Sequence, residues 1–446
     1  MMAFFSPALA VSPVLAQDDT LIAQYPHTVI TNGIVGPVGN GKNSAAGKCT
    51  LYMGIGEVGI MMRIFSLGLI ILLSVSCSVL SGRMGGAIGT NLYVSPSGSD
   101  SNTGTKSSPF KTIQKASNSA APGTTIHVAP GTYAEMLRTK SSGTAAARIH
   151  YVSDTPWKAK VIPPSGTPGD LLWVNSGDYV DIEGFELDGS GNSYFRCGLN
   201  NGGGYVRIYG NHVHHITGTS PSAIKGGGGA GIDSYGSSYK DERPNEIFNN
   251  LVHDIGDPDH KFRPKPLSLI HGIYLANPNG KIYNNITFHN EGWGIHLYHN
   301  PLKAYVANNL SFGNLRGGIV LGTADGSTVI NNIFLENSGT GIIEMNAGHV
   351  TYLNNIVYKN ETDWKTANPH VSDISADPKF VNYKPDGTGD YHLSTGSPAI
   401  DAGVSAGAPS IDYDGASRPK GKGEDIGPYE YGSGIKGGIR PSKTIK

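Results

Sequence analysis

The chain of 446 residues has little cysteine and almost no net charge. Only three cysteines occur, and one of them, Cys49, lies upstream of the globular part, so a disulfide framework is not expected. A formal charge of −1 argues against a nucleic-acid partner. Charged residues make up only 15% of the chain while 62 residues are glycine, a composition typical of short strands separated by many turns.

The sequence contains a repeated motif. A doubled asparagine followed by an apolar, a variable and an apolar residue, with histidine in the last position of the first copy, occurs five times, and the last three steps between repeats are 24, 23 and 23 residues. This period is typical of a solenoid whose coils stack strand on strand. Asparagine suits the corners because it tolerates left-handed backbone angles and can bond to the asparagine of the next coil. The second asparagines are predicted to form one ladder: Asn250, Asn285, Asn309, Asn332 and Asn355.

Residues 62–77 combine a basic start with an apolar run that is too short for a comfortable transmembrane helix of about 20 residues. The run ends at Cys77 and resembles a bacterial lipoprotein signal with Cys77 as the lipidated residue; ordinary secretion or a plain anchor is the alternative. Residues 1–61 are interpreted as a mis-assigned extension or an unstructured segment, and residues 78–90 as a flexible tether. The expected location is secreted or cell-surface, with a lipid anchor in the membrane.

Two columns of residues appear when the coils are aligned on their asparagines, and both are predicted to point into the core. His212 and His214 fall in these columns, so they are interpreted as stacked core histidines, and no metal site is predicted although His215 follows them. The first column contains His212, Leu251, Ile286, Leu310, Ile333 and Ile356, and the second contains His214, His253, Phe288, Phe312, Leu335 and Tyr358.

A second strand in each coil is marked by glycine followed by an apolar residue, from Gly231-Ile232 to Gly341-Ile342. If those apolar residues point inward, the residues that follow them form an outward row, because side chains alternate along a strand. The row is polar on the middle coils and apolar on the later ones: Asp233, Tyr274, His296, Val320 and Ile343.

Two long insertions, residues 218–244 and 256–268, interrupt the period on the same middle coils. Loops on a rigid scaffold commonly carry function, and basic side chains favour an acidic ligand. The carboxylate-binding candidates are Lys225 in the first insertion and Arg263 and Lys265 in the second.

The segment that begins at Asn91 (LYVSPSGSDSNTGTKSSPFKTIQKASNSAAPGTTIHVAPGTY) resembles the start of right-handed parallel β-helix proteins of the pectate-lyase type. The resemblance implies a capping helix within residues 109–120, a first coil at residues 125–128 and a terminal segment that closes the last coil. The predicted fold is therefore all-β, a right-handed parallel β-helix over residues 91–431 with a short N-terminal capping helix, and residues 432–446 are predicted to be a flexible tail.

An extended face on such a helix suits a polymer, and the favoured function is a lyase that cleaves an acidic, uronate-containing polysaccharide. Elimination needs a base, a group that neutralises the carboxylate and an acid. His296 is the candidate base, Tyr274 the acid or phenolate base, and Asp233 the group that orients an imidazole or binds a metal. His271 is a second catalytic candidate. The predicted substrate-binding residues besides the basic ones are Tyr235, Trp293, Tyr298 and His299.

Pectate lyases of this fold use an aspartate cluster for calcium, but Asp181, Glu183, Glu186 and Asp188 alternate faces only partly in step. No cofactor is therefore expected, with calcium left open, and the chain is expected to be a monomer. Two alternatives remain: a non-catalytic carbohydrate-binding or adhesin protein of the surface, and a glycoside hydrolase. The hydrolase would need two or three converging carboxylates, whereas Asp233 is the single acid of the outward row.

Overall fold

The computed structural model describes residues 89–191, 194–261 and 269–434. Within them the chain forms a parallel β-helix of three sheets, as the sequence predicts, together with one antiparallel hairpin, Phe380–Asn382 with Asp390–Leu393. The predicted signal segment, Cys77 and the last twelve residues lie outside the described residues.

Each full coil contributes one strand to each sheet, in the order first, second, third. The strands of the first sheet are Asn91–Val94, Thr125–Val128, Ile149–Ser153, Val180–Glu183, Arg207–Tyr209, Glu246–Phe248, Lys281–Tyr283, Tyr305–Ala307, Ser327–Ile330 and Val350–Leu353.

The second sheet is built mostly from three-residue strands. They are Gly131–Ala134, Ala159–Ile162, Glu186–Asp188, His212–His214, Leu251–His253, Ile286–Phe288, Leu310–Phe312, Ile333–Leu335 and Ile356–Tyr358.

The third sheet carries the outward row of the sequence analysis. Its strands are Leu137–Thr139, Leu171–Asn175, Cys197–Asn201, Gly229–Ser234, Ile270–Leu275, Trp293–Leu297, Gly317–Leu321, Thr340–Glu344 and Thr362–Lys365.

The helix Ile113–Asn118 falls inside the predicted segment 109–120 and is six residues long. It begins at Thr112, whose hydroxyl accepts a hydrogen bond from the backbone N–H of Lys115 at 3.1 Å. Ile113 and Ala116 are fully buried, which anchors the helix on the core; its role as a cap stays a prediction. A single turn of π type, Ala223–Gly227, lies in the first insertion.

The asparagine pairs turn the corners between the first and second sheets. The first asparagine of each pair has a φ of 53° to 55°, in the left-handed region. The second asparagines form the predicted ladder, with Nδ2 to Oδ1 distances of 2.9, 3.0, 2.9 and 2.9 Å along the series. The ladder prediction is confirmed, and the ladder extends to Asn211 at its start and to Asp373 at its end.

A second ladder, which the sequence analysis missed, lies at the corner between the second and third sheets. Asn290, Asn314, Asn337 and Asn360 bond in series at 2.8, 2.9 and 2.8 Å, and the last of them donates to Asp363 at 2.9 Å. Each of these asparagines follows a member of the first ladder by five residues, a spacing that was visible in the sequence.

The prediction that the two columns of the second sheet point into the core is wrong. The residues between them point inward, among them Val213, Val252 and Phe334, which are fully buried in the central core. The column residues point outward, and on the later coils they form a separate apolar cluster with the C-terminal segment, for example with Tyr391 and Tyr413. No repeat relates that covering segment to the coils, so the sequence pattern alone cannot distinguish its apolar contacts from those of the interior.

The C-terminal segment lies along the side of the coils. Residues 373 and 374 do meet the last coil, where the Ile374 amide donates to the Asn355 carbonyl at 2.7 Å. The rest of the segment does not close that coil, contrary to the prediction. Instead, its backbone carbonyls accept hydrogen bonds from the first asparagine of four successive pairs. The accepting carbonyls belong to residues 402, 404, 425 and 411. The segment therefore covers four coils of the second sheet.

Candidate functional site

The outward row of the third sheet is in register as the sequence predicts. Asp233 pairs with Tyr274 and Tyr274 pairs with His296 on adjacent parallel strands. Their inward neighbours, Ile232, Ile273 and Ile295, are fully buried in the core. Since neighbouring strands lie about 4.8 Å apart, these side chains form one continuous outer face, called here the Asp233–His296 face.

The two ends of this face differ in polarity. Asn200 pairs with Asp233 on the preceding strand and adds a fourth polar side chain. On the following strands Val320 and Ile343 occupy the row, and both are buried. The polar part of the row therefore covers four coils.

A hydrogen-bond chain fixes the proton on His296. The Trp293 amide donates to Nδ1 of His271 at 3.3 Å, and Nε2 of His271 lies 2.7 Å from Nδ1 of His296. Because Nδ1 of His271 accepts, the proton of that ring is on Nε2, which donates to Nδ1 of His296. His296 then carries its own proton on Nε2, so it presents a donor to the face.

This tautomer opposes the role of base that the sequence analysis gave to His296. Burial and the neighbouring His271 and His299 hold the pKa of His296 well below its ordinary value, so the ring is neutral at physiological pH. Burial likewise lowers the pKa of His271 to about 3. His271 is only 1% exposed, too buried to touch a polymer, and its place in the face is that of a positioning residue.

Aromatic rings surround Tyr274 and His296. The two rings are perpendicular, with centroids 4.8 Å apart. His299 lies 5.1 Å from Tyr298 and stacks on Tyr239 at 3.9 Å. Tyr239 in turn lies 6.3 Å from Tyr235. The predicted binding residues Tyr235, Tyr298 and His299 are thus brought together with Tyr274 and His296.

Tyr239 and Trp293 lie outside the outward row itself. Tyr239 was missed because it lies in the first insertion, where no strand register relates it to the row. Trp293 lies at the start of its strand, and its ring occupies the space over Gly317 on the next coil, where an added Cβ would come within 2.3 Å of the indole. A side chain at position 317 would displace the indole, so this glycine makes room for the Trp293 ring.

Asp233 is held by a chain of its own. Its Oδ2 accepts from Nδ2 of Asn200 at 2.7 Å, and Oδ1 of Asn200 accepts from the Tyr235 hydroxyl at 3.3 Å. Oδ1 of Asp233 is buried and has no hydrogen-bond partner within the described residues. The predicted role of orienting an imidazole is therefore taken by His271 and not by Asp233.

Burial raises the pKa of Asp233 to about 6, against the opposing effects of Arg196 and Asn200. Arg196, which the sequence analysis missed, donates from Nη1 to the Gly227 carbonyl at 3.1 Å and so links the face to the turn Ala223–Gly227. It directly precedes Cys197 at the start of the strand that pairs with Gly229–Ser234.

The Asp233→Asn variant is expected to be more stable than the wild type above pH 6 and equal to it near pH 4. The pKa of this carboxyl rises on folding, here from 3.8 to about 6. The free energy of unfolding of the wild type therefore falls as the pH rises between these two values. Removing the charge should raise the free energy of unfolding by about 1–3 kcal/mol at pH 8. Denaturant unfolding at pH 4 and pH 8 measures this; the exposed Asp386→Asn is the control, and a loss at pH 8 would contradict the burial argument.

The basic residues of the insertions differ in exposure and in ion pairing. Lys225 is exposed on the turn Ala223–Gly227, next to the carbonyl that Arg196 contacts. Arg243 is an ion-pair partner of Asp178 and Asp241, each at 2.6 Å, so its charge is already neutralised. Arg263 and Lys265 lie outside the described residues, and their predicted roles stay predictions.

The carboxylates of the described residues do not fit a calcium site at this face. Calcium takes six to eight oxygen ligands. Asp181 lies on the first sheet, where Arg148 and Arg207 bind it at 2.6 and 2.5 Å, and Glu186 and Asp188 lie on the second sheet, so these carboxylates do not belong to the Asp233–His296 face. No group of three potential metal ligands that includes Asp233 occurs in the part of the chain that the structure describes.

Two family models match the chain. Residues 92–262 match the Pel9A-like right-handed beta helix region, and residues 202–375 match the periplasmic copper-binding protein (NosD) family. The crystal structure of pectate lyase Pel9A superposes with a TM-score of 0.55 at 19% identity, covering 78% of this chain and 98% of that one. Residues 92–262 therefore resemble the Pel9A-like right-handed β-helix region, and the likeness to the solved structure shows a shared β-helix fold.

Two curated proteins match this chain over short segments. Uncharacterized protein YwoF of Bacillus subtilis is 52% identical over 63 residues, which is 14% of each chain. Pectate lyase PEL9 of Emericella nidulans is 31% identical over 132 residues, which is 26% of this chain and 32% of that protein. The matches thus span about one seventh and one third of the lengths of these relatives.

The described residues of this β-helix protein include no helix that is long and apolar enough to span a bilayer. Cys197 is buried and not in a disulfide, and burial raises the pKa of its thiol to about 12.

Proposed function

We propose that this protein is an exported polysaccharide lyase that cleaves a uronate-containing polysaccharide by β-elimination at the Asp233–His296 face. The observation that carries the proposal is the hydrogen-bond chain from Trp293 through His271 to His296, which directs a neutral N–H donor onto the outward row beside the Tyr274 ring. A donor and a phenol on adjacent coils suit a substrate that has both a carboxylate and a transferable proton.

His296 is the group that binds the substrate carboxylate in this proposal. When the proton on the carbon next to the carboxylate leaves, negative charge develops on the carboxylate oxygens. A fixed N–H donor stabilises that charge more strongly than water does, because it needs no reorientation. The His271 contact keeps the donor fixed, since its Nε2 proton lies 2.7 Å from the other ring nitrogen of His296.

Tyr274 is the proton-transfer group. The reaction starts from the ionised tyrosine: the phenolate oxygen takes the proton from carbon 5, the bond between carbon 4 and the glycosidic oxygen breaks, and the phenol returns that proton to the leaving oxygen. The products are an unsaturated uronate end and a sugar hydroxyl, with no water consumed. One residue can serve as both base and acid if the proton and the leaving oxygen lie on the same side of the sugar.

The aromatic surface supports a polymer as substrate. The rings of Tyr235, Tyr239 and Tyr298 extend the face along and across the coils, and flat aromatic rings pack against sugar rings. Lys225 is exposed beside the face, and the proposal also assigns Arg263 and Lys265 of the second insertion to attraction of the polyanion. The name of the relative in Emericella nidulans, a pectate lyase, supports the same substrate class.

A glycoside hydrolase is less well supported, because hydrolysis at this fold needs at least two carboxylates across the cleft and the row offers Asp233 alone. Export agrees with the names of the matching families, one of which is periplasmic. Lipidation of Cys77 remains part of the proposal; mass spectrometry of the membrane-extracted protein should find an acylated Cys77 as the first residue, and a soluble chain cleaved elsewhere would exclude it.

Incubation with alginate, pectate and glycosaminoglycans tests the activity. Ultraviolet absorbance from the new carbon–carbon double bond should rise with at least one of these polymers and with no neutral glucan. If the protein binds a uronate polymer and no absorbance develops, the carbohydrate-binding alternative replaces the lyase. If reducing ends appear without absorbance, the hydrolase does.

A further inference from the structure

A cluster of histidines and carboxylates lies on the outer side of the second sheet, away from the Asp233–His296 face. It is formed by adjacent parallel strands, where Glu186 pairs with His212 and Asp188 with His214. The next strand adds His253, which pairs with His214. On later coils these columns hold leucine, isoleucine and phenylalanine under the C-terminal segment. The change from apolar residues to imidazoles sets these coils apart.

Potential ligand atoms converge in this cluster. One atom from each of Glu186, His212 and His214 lies within 4.8 Å of the others, and the same holds for Asp188, His214 and His215. Nε2 of His214 is 3.1 Å from Oε1 of Glu186. His214 thus belongs to both groups, at the centre of the cluster.

Ring nitrogens face each other at short range. Nε2 of His212 lies 2.7 Å from Nε2 of His253, and Nδ1 of His214 lies 2.6 Å from Nδ1 of His215. In each contact one ring nitrogen must donate a proton and the other must accept it. A metal ion relieves this arrangement, because it accepts lone pairs from several imidazoles at once.

His253 has a carboxylate partner on one ring nitrogen, as metal-ligating histidines commonly have. Its Nδ1 lies 2.5 Å from Oδ2 of Asp254, and Oδ1 of Asp254 lies 2.5 Å from Nδ1 of His289. A carboxylate on one ring nitrogen holds the proton there and leaves the other nitrogen, which faces His212, as a lone-pair donor. The same arrangement fixes the orientation of the ring.

We propose that Glu186, His212 and His214 bind one divalent transition-metal ion, with His253 as the nearest further nitrogen donor. Imidazole nitrogen with a carboxylate oxygen suits zinc and its neighbours among the transition metals, whereas calcium and magnesium prefer oxygen ligands alone. His215 is exposed and marks the side from which the ion enters. The site lies on a different sheet from the proposed catalytic face, so this inference does not depend on the proposed lyase activity.

Lys160 competes with the ion. Its ammonium lies 2.7 Å from Oε1 of Glu186 and 3.1 Å from Oδ2 of Asp188. Binding therefore requires the ammonium to move away from Glu186, and the Lys160 side chain is one-third exposed, which gives it room to do so. Lys160→Met is expected to tighten zinc binding by removing the competing charge.

Zinc binding by the full-length protein tests the proposal. After incubation with zinc and dialysis against metal-free buffer, about one zinc ion per chain is expected, with a rise in Tm that calcium does not reproduce. Glu186→Gln, which keeps the side-chain size, and His212→Asn, which replaces the imidazole by a smaller amide, should each lower zinc affinity at least tenfold, since loss of even an outer partner of a metal ligand costs 10- to 100-fold. His349→Ala, at a histidine that is 98% exposed, should retain the ion.

Circular dichroism of every variant separates loss of the site from loss of the fold. Full zinc retention by folded Glu186→Gln and His212→Asn would overturn the proposal, as would a folded wild type that retains no zinc. Replacement of zinc by cobalt gives a second readout, because bound cobalt should develop visible absorption bands in the wild type and in His349→Ala but not in His212→Asn.

Discussion

Replacement of Tyr274 by phenylalanine is expected to lower the rate of polysaccharide cleavage by about 10²- to 10⁴-fold, the typical cost of losing an acid or base. The substitution removes one oxygen atom and keeps the ring, whose centroid lies 4.8 Å from that of His296. The packing of the face should therefore survive, and the loss should appear in kcat. Steady-state rates on whichever uronate polymer the wild type cleaves measure the effect.

Tyr283→Phe is the matched control. Tyr283 lies on the first sheet, where it stacks on Phe248 at 4.7 Å, and the same loss of one hydroxyl there should leave the rate unchanged. His296→Ala should also lower the rate, because it removes the proposed donor to the substrate carboxylate. If Tyr274→Phe and His296→Ala both kept wild-type turnover, the catalytic face would have to lie elsewhere.

Asn309→Ala is expected to lower the free energy of unfolding by at least about 3 kcal/mol. The Asn309 side chain donates to two backbone carbonyls and to Oδ1 of Asn332, at 2.9 to 3.0 Å, and it accepts from the amide and the side chain of Asn285 at 2.9 and 3.0 Å. All these groups are buried, so alanine leaves several of them without a partner. Denaturant unfolding of both proteins gives the difference.

Asn118→Ala is the control for this prediction, because Asn118 is exposed at the end of the helix Ile113–Asn118 and should change stability by about 0.5 kcal/mol or less. A more discriminating variant is Asn309→Asp. The carboxylate can still accept from Asn285 but cannot donate to Asn332. A carboxylate is suited only to the last position of the ladder, where Asp373 accepts from Asn355 and no further asparagine follows. An Asn309→Ala protein as stable as the Asn118→Ala protein would show that the ladder contributes little.

The sequence was sufficient for the fold and for the register of the third sheet. The asparagine pairs recur at nearly constant spacing, and each glycine-isoleucine pair places one residue inside and the next outside, which aligned Asp233 with Tyr274 and His296 correctly. Periodicity carries this information because every coil of a solenoid repeats the same local geometry.

Contacts between the coils and segments outside the repeat could not be predicted from the sequence. The C-terminal segment covers the second sheet through contacts with residues about 50 to 130 positions earlier, and without it Leu310 and Phe312 were assigned to the interior. The proton on His296 depends on the direction of one amide, that of Trp293, which no residue pattern encodes. Tyr239 reaches the face from an insertion with no register.

The mass of the oligosaccharide products tests the central claim most directly. Elimination predicts products with an unsaturated terminal uronate, each one water lighter than the corresponding hydrolysis product, from the wild type and from Tyr283→Phe but at least a hundredfold more slowly from Tyr274→Phe. Saturated products from the wild type, or unsaturated products formed equally fast by Tyr274→Phe, would contradict β-elimination at the Asp233–His296 face.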